Sequence, residues 1–377
     1  VVFQHPIQVS QRHPATPARQ GLLSTLMNSE LHLQVSLRLI KHYTPTCLDA
    51  DVEGISARAG HQAYTSLLRE LELPEEPTQG TVLDLFAGCG GLSLGFEVAG
   101  FKTIGYDMKM EFTQTYNENL RGECHHQIID EDTTFPHKDV DVIMAGPPCQ
   151  PWSEAGKNLG DADERDGFPA LIECIGRIRP KIFLIENVRG LYKEEHRPYL
   201  ELIVNELEKL DYTVVHKLID MSKYGVPQER KRVFIIGSKT EFSWPDESDV
   251  TFSAGDALGK WSLEAPEDGR YLTPSEDERI AGYEEKCKLK TPRDLHLDKP
   301  ARTLTCKNLA SSTNDMHRIL LPNGRRRKLR VKEAARLQGF PDWFKFSGDD
   351  TCGFNQIGQP VPPVFSHQMA KCIASYL

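Results

Sequence analysis

Asp84-Leu85-Phe86-Ala87-Gly88-Cys89-Gly90-Gly91-Leu92 is an apolar run that breaks into glycines and resumes as a helical pattern. Residues 81–86 read as a buried strand and 92–99 as a helix, so the glycines form the turn between them. Glycine there lets a ligand approach the backbone, and open α/β sheets hold ligands at the carboxyl ends of their strands. The spacing is GxGG, not the GxGxxG of dinucleotide binders. Taken alone, it allows a nucleotide-like cofactor or a plain tight turn. Asp107 ends the next strand pattern, 102–106, within Gly105-Tyr106-Asp107-Met108. A carboxylate at that place can accept hydrogen bonds from ribose hydroxyls, the alternative being a surface or helix-capping aspartate.

Working outward, residues 140–145, 181–185 and 232–237 read as further strands, and 112–120, 169–178 and 198–210 as helices. Strands alternating with helices of this length predict an α/β fold with a mainly parallel sheet covered on both faces. Residues 241–329 break the rhythm with Pro, Gly and charge and read as a smaller, irregular inserted domain. Residues 330–377 return to pattern, with helices at 331–337 and 363–376. Upstream, residues 1–20 are polar and Pro-containing, 31–39 alternate like a strand, and 63–73 look helical. The expected organisation is an N-terminal extension of unassigned role (1–80), a catalytic and cofactor-binding domain (81–240), the inserted domain (241–329) and a returning segment (330–377).

Hydrophobic residues make up 39% of the 377 and charged residues 26%, which argues against extensive disorder. No apolar window of about 18 residues suggests a membrane span, and no secretory leader pattern is present. Nine cysteines without a CxxC pair make disulfide frameworks and zinc ribbons unlikely, and no metal site is expected. The net charge of −9 is unevenly spread: residues 241–300 carry 15 acidic and 8 basic side chains, residues 301–330 carry 8 basic and only Asp315 acidic. A local cationic strip can hold phosphate on an acidic protein, or can be a solvated face.

Three further motifs carry chemistry. Ala145-Gly146-Pro147-Pro148-Cys149-Gln150-Pro151-Trp152-Ser153 follows a strand directly, and prolines that fix φ hold the cysteine as a rigid candidate nucleophile rather than an inert buried thiol. Glu186-Asn187-Val188 puts a carboxylate at the same sheet edge, a costly place unless it is paired or catalytic. In Gln228-Glu229-Arg230-Lys231-Arg232, residues two apart share a strand face, so Gln228, Arg230 and Arg232 are expected to point together.

With Arg330-Val331-Lys332-Glu333-Ala334-Ala335-Arg336-Leu337-Gln338-Gly339-Phe340-Pro341, these motifs resemble, in order, those of the C5-cytosine-specific DNA methyltransferases, from about Thr81 onward. One departure is Gly358-Gln359-Pro360-Val361, where the family usually has Gly-Asn-Ser/Ala-Val. The resemblance implies a Rossmann-like methyltransferase sheet with helices on both faces, a target-recognition domain over 241–329, and methyl transfer from S-adenosylmethionine to carbon 5 of cytosine. It implies catalytic roles for Cys149, Glu186, Arg230 and Arg232, the arginines at the base's carbon 2 oxygen. The cofactor would be bound by Phe86, Ala87, Gly88, Cys89, Gly90, Gly91, Leu92, Asp107, Met108, Pro148, Gln359 and Val361. The acid expected near the adenine is sought among Asp130, Glu131 and Asp132.

The implied partner is double-stranded DNA, with the cytosine flipped out. Gln150, Ser153, Lys299, Arg302, Arg325, Arg326, Arg327 and Lys328 are expected to contact it, and no membrane or protein partner is indicated. Three rivals remain. A transfer-RNA cytosine methyltransferase would carry a Cys-Phe-Thr element that is absent, a binding protein that had lost catalysis would not be expected to keep Cys149, Glu186 and Arg232, and a dinucleotide oxidoreductase leaves the Pro-Pro-Cys loop unexplained. The expected location is cytoplasmic in a prokaryote or nuclear in a eukaryote.

Overall fold

The computed structural model describes residues 49–137, 139–148, 166–289 and 291–377. Cys149, Gln150, Ser153 and segment 31–39 lie outside the described residues. The main strands are β1 (Thr81–Leu85), β2 (Lys102–Asp107), β3 (Glu123–His126), β4 (Val142–Ala145), β5 (Ile182–Val188), β6 (Thr213–Asp220) and, after the two-residue β7 (Gln228–Glu229), β8 (Lys231–Ser238). They form one seven-stranded sheet in the order β3-β2-β1-β4-β5-β8-β6. The pairs from β3 through β5 are parallel, and β8 runs antiparallel to both β5 and β6. The sequence reading missed β3 and β6, the two edge strands. Both are partly exposed and lack the continuous apolar run of a strand buried on both faces.

Alternation along the strands builds a core on each face. Leu83 and Leu85 share one core with α4 (Phe168–Ile178) and α5 (Arg197–Glu208). Val82 faces the other, with α2 (Gly91–Val98), α3 (Met110–Asn119) and α11 (Pro363–Ala374), as does the C-terminal part of α1 (Asp49–Arg69) through Tyr64 and Leu68. Asp84, between Leu83 and Leu85, is 1% exposed. Ser93 Oγ donates to its Oδ2 at 2.7 Å. Burial still pushes the Asp84 carboxyl up from 3.8 to about 8, with the nearby Asp107 adding to the rise.

Residues 241–329 hold more regular structure than expected: α6 (Ala254–Leu258), α7 (Pro274–Lys286), α8 (Cys306–Ala310), β9 (Ala301–Arg302), which pairs with β7, and a hairpin of β10 (Arg318–Leu320) with β11 (Arg326–Lys328). Next come α9 (Val331–Leu337) and α10 (Asp350–Gly358). The apolar residues of this region continue the core that lies under α2 and α11, and Ser56–Leu377 is one compact unit.

The basic strip needs correction, because its charges are largely neutralised inside the fold. Arg327 is fully buried and bidentate to the equally buried Glu333, both bonds 2.8 Å. Its remaining donors reach the carbonyls of Trp261, Glu264 and Lys328. Arg326 is bound to Asp294 and Asp277, and Arg302 to Asp315. Lys328 is 5% exposed, and burial lowers its amine to about 8. Arg327 and Lys328 are buried and Arg302 and Arg326 are engaged by carboxylates, whereas Lys299 and Arg325 are exposed and carry no ion pair among the described residues. The Arg325 guanidinium stacks 3.9 Å from the Tyr271 ring centroid.

Replacing Arg327 with Met should leave the buried Glu333 carboxylate with only Arg330 as ionic partner among the described residues and the carbonyls of Trp261, Glu264 and Lys328 without this donor, at a cost of about 3–5 kcal/mol in urea unfolding. Because the folded Asp84 holds its proton more tightly than the unfolded chain does, ionising it weakens the fold as pH rises from 3.8 to about 8 and has no effect below that window. Urea midpoints measured across the window should decline less steeply in Asp84→Asn than in the parent.

Candidate active site

Strand order reverses between β1 and β4, so their carboxyl ends diverge and leave a crevice. Phe86 leaves β1 in the left-handed region, φ 60°, and Gly88 follows at φ 59°. Such a conformation costs a bulky residue roughly 1–3 kcal/mol and persists where surrounding bonds dictate it. Here Ala87 N donates to Tyr106 O at 3.0 Å and Gly88 N to Asp107 Oδ2 at 2.9 Å, so β2 pins the turn. At Gly91, an added Cβ would lie 2.6 Å from Pro360 and 2.8 Å from Val361 O. Only glycine lets segment 358–361 close against the start of α2.

The crevice opens as a cavity of about 730 Å³. Of the residues expected to bind a cofactor, Phe86, Ala87, Gly88, Cys89, Leu92, Asp107, Met108, Pro148, Gln359 and Val361 line it. Gly90 and Gly91 instead shape the entry to α2. Asp130 and Asp132 are a correction: both are exposed and off the wall, with Asp130 Oδ1 accepting from Thr133 Oγ1 at 2.6 Å. The loop after β3 offers Gln127, Ile128 and Ile129 to the cavity in their place.

The cavity's chemistry fits a nucleoside. Asp107 accepts one backbone N–H on each oxygen, from Gly88 and, at 2.8 Å, from Lys109, which leaves a second lone pair on each for a hydroxyl. Phe86, Phe112, Met108 and Ile128 supply apolar wall, the last two 59% and 67% exposed as large hydrophobics. Gln356 Oε1 is buried with no hydrogen-bond partner among the described residues, an acceptor that a ligand donor would satisfy. Gln356, Cys306, Lys109 and Asp84 also line the cavity and were missed as site residues. For Asp84 there was a signal, a carboxylate inside an apolar strand; for Gln356 and Cys306, brought in from far along the chain, there was none.

Glu186, at the end of β5, lines the same cavity, and Arg232 Nε meets its Oε1 at 2.9 Å, the side chains 14% and 13% exposed. Burial raises the Glu186 pKa, and the charges of Arg232 and then Arg230 oppose the rise. Asn187 Nδ2 reaches Pro147 O at 3.4 Å, bracing the turn that leads to Cys149. Arg230, expected to point with Arg232, does not line the cavity: it is fully buried and donates to Leu304 O at 2.9 Å and Gln359 O at 2.7 Å. The two-residue rule fails because Arg230 falls in the break between β7 and β8. Gln228 is also buried and bonds to Gln338 and Leu304. Among the described residues, no cluster of His, Cys, Asp or Glu is arranged for a metal ion, and no helix is long and apolar enough to cross a membrane.

The family model for C-5 cytosine-specific DNA methylases matches residues 80–375. The chain is 49% identical over 323 residues to Type II methyltransferase M.AplI of Arthrospira platensis, spanning 85% of this chain and 92% of that protein. It is 30% identical to Type II methyltransferase M1.HphI of Haemophilus parahaemolyticus, over 78% of this chain and 86% of that one. Among solved structures, Entamoeba histolytica methyltransferase EhMeth shares the fold at TM-score 0.60 and 19% identity, over 78% of this chain and 98% of that one. S. pombe Dnmt2 methyltransferase does so at 0.58 and 16%, over 79% and 98%. A crevice at the strand-order reversal, walled by the Gly-rich turn, Asp107 and Glu186, thus stands in a chain that belongs to the C-5 cytosine-specific DNA methylases and is a DNA (cytosine-5-)-methyltransferase.

Proposed function

We propose that the chain methylates carbon 5 of a cytosine flipped out of double-stranded DNA, with S-adenosylmethionine as methyl donor and Cys149 as covalent catalyst. The observation that carries this reading is that one cavity is lined by Asp107 and the Gly-rich turn on one side and by Glu186, paired with Arg232, on the other. A nucleoside cofactor and a target base would therefore meet in one crevice. Asp107 would hold the ribose hydroxyls, and Phe86, Met108 and Ile128 the adenine. When bound, S-adenosylmethionine supplies a methyl group made electrophilic by its sulfonium.

Carbon 5 of cytosine is a poor nucleophile, because attack from it breaks the ring's conjugation. Addition of the Cys149 sulfur to carbon 6 forms an S–C bond and pushes an electron pair toward carbon 5, dividing one hard step into easier ones. Negative charge then builds on nitrogen 3 and the carbon 2 oxygen. Glu186, whose burial favours the protonated form, would donate to nitrogen 3 and accept from the exocyclic amine. Arg232 would bind the carbon 2 oxygen. Once carbon 5 carries the methyl group, its proton leaves to a base, the electron pair restores the ring, and the S–C bond breaks.

A free thiol near pKa 8.5 is only a few per cent thiolate at neutral pH, so the charge of Arg232 would also favour the reactive form. Flipping the cytosine costs about a few kcal/mol, offset by contacts to the duplex. Lys299 and Arg325, the exposed members of the basic set, would supply phosphate contacts, and Gln150 and Ser153, beside Cys149 in sequence, would touch DNA near the displaced base.

Duplex DNA carrying 5-fluorocytosine tests the covalent step, because fluorine cannot leave as a proton does. With cofactor present, the enzyme should be trapped as an adduct that survives denaturing electrophoresis. Cys149→Ala should give neither adduct nor labelled DNA, and full methylation by that variant would end this reading. Glu186→Gln should keep DNA binding but lower kcat by roughly 10²–10⁴-fold. Label should pass to duplex DNA and not to transfer RNA.

A further inference from the structure

The family model begins at residue 80, so α1 lies ahead of it. The last turns of α1 are nevertheless core structure, with Tyr64, Leu68 and, just beyond, Leu71 buried. Tyr64 OH donates to Arg336 O at 2.6 Å, and its ring lies 5.1 Å from that of Phe252. Arg336, 4% exposed in α9, binds both neighbours: Nη2 donates to Thr65 Oγ1 at 3.0 Å and Nη1 to Ala257 O at 3.1 Å. His61 Nδ1 lies 2.7 Å from Asp256 O. Contact is close on both sides, since a Cβ at Gly60 would come within 2.0 Å of the Asp256 carboxylate and one at Gly259 within 2.6 Å of the His61 ring. From α6 the connection continues through backbone bonds, Gly255 N to Leu297 O and Ala254 N to Lys299 O, both 2.9 Å.

We propose that His61, Tyr64 and Thr65 are positioning residues for DNA binding: they fix α6 against α9 and thereby set the place of Lys299 and the region around it relative to the catalytic sheet. None of the three lines the cofactor cavity. The inference rests on the duplex-DNA reading above. Losing one of these bonds loosens the surface that meets the duplex while leaving the chemistry and the cofactor site untouched.

The test uses the full chain with His61→Ala, Thr65→Val and the conservative Thr65→Ser. It measures KM for duplex DNA, kcat at saturating DNA, and S-adenosylmethionine affinity by calorimetry. In His61→Ala and Thr65→Val, the KM for DNA should rise about fivefold, the effect of one net hydrogen bond, with kcat and cofactor affinity within about twofold of the parent. Thr65→Ser keeps the hydroxyl and should return KM to the parent value. An unchanged KM in both variants overturns the proposal, and so does a parallel fall in kcat and cofactor affinity, which would mark general loosening of the fold. A parent enzyme that transfers no methyl group to duplex DNA would instead remove the reading on which the proposal stands.

Discussion

Arg230 joins parts of the chain that are far apart in sequence. Its guanidinium donates to the carbonyls of Leu304, Gly358 and Gln359, and no part of the residue reaches solvent. Buried carbonyls need donors, and a planar group with five N–H bonds can serve several at fixed angles where an ammonium would not. A second bridge runs beside it, from Gln228 to Gln338 and from Gln338 to Pro360 O. Gln359, Pro360 and Val361 form one wall of the cavity, so that wall is fastened to the start of β8. The same strand carries Arg232 to Glu186. The 359–361 wall of the cavity and its Glu186–Arg232 edge are therefore held by neighbouring residues of one segment.

Much of the catalytic half was legible because it obeys local rules. The apolar runs of β1, β4, β5 and β8 are long enough to read as strands buried on both faces, and a glycine turn after β1 and an acid after β2 point by topology alone to the crevice where the cavity opens. What escaped depends on partners distant in sequence. Arg230 looked like a strand residue until the chain proved to break there. Gln356 and Cys306 enter the cavity through folding of segments more than two hundred residues from Phe86. The acid sought among residues 130–132 was a positional expectation, whereas the observed wall there is mostly apolar, Ile128 and Ile129 beside Gln127.

Residues 241–329 show why a charge count misleads. Their acidic and basic stretches pair with each other: Arg318 with Glu284 and Asp294, Arg326 with Asp294 and Asp277, Arg293 and Arg302 with Asp315. Apolar residues such as Phe252, Leu258, Ile319 and Leu321 join the core, and guanidinium–carboxylate pairs with defined geometry fasten the segments around them. Such pairs leave little net field outside. Lys299 and Arg325, without an ion pair among the described residues, then stand out against an almost neutral local background, and the acidic sum of the whole protein need not repel a polyanion at that surface.

The closing wall of the cavity also has a temporal meaning. Cys89 and its hydrogen-bond partner Gln356 are 267 positions apart, so a nascent polypeptide must be extended at least that far past Cys89 before the two can meet. Until then the crevice has one open side, and ribosome-bound fragments lack a complete pocket. A fragment that stops before residue 356 therefore lacks the wall formed by Gln356, Gln359, Pro360 and Val361.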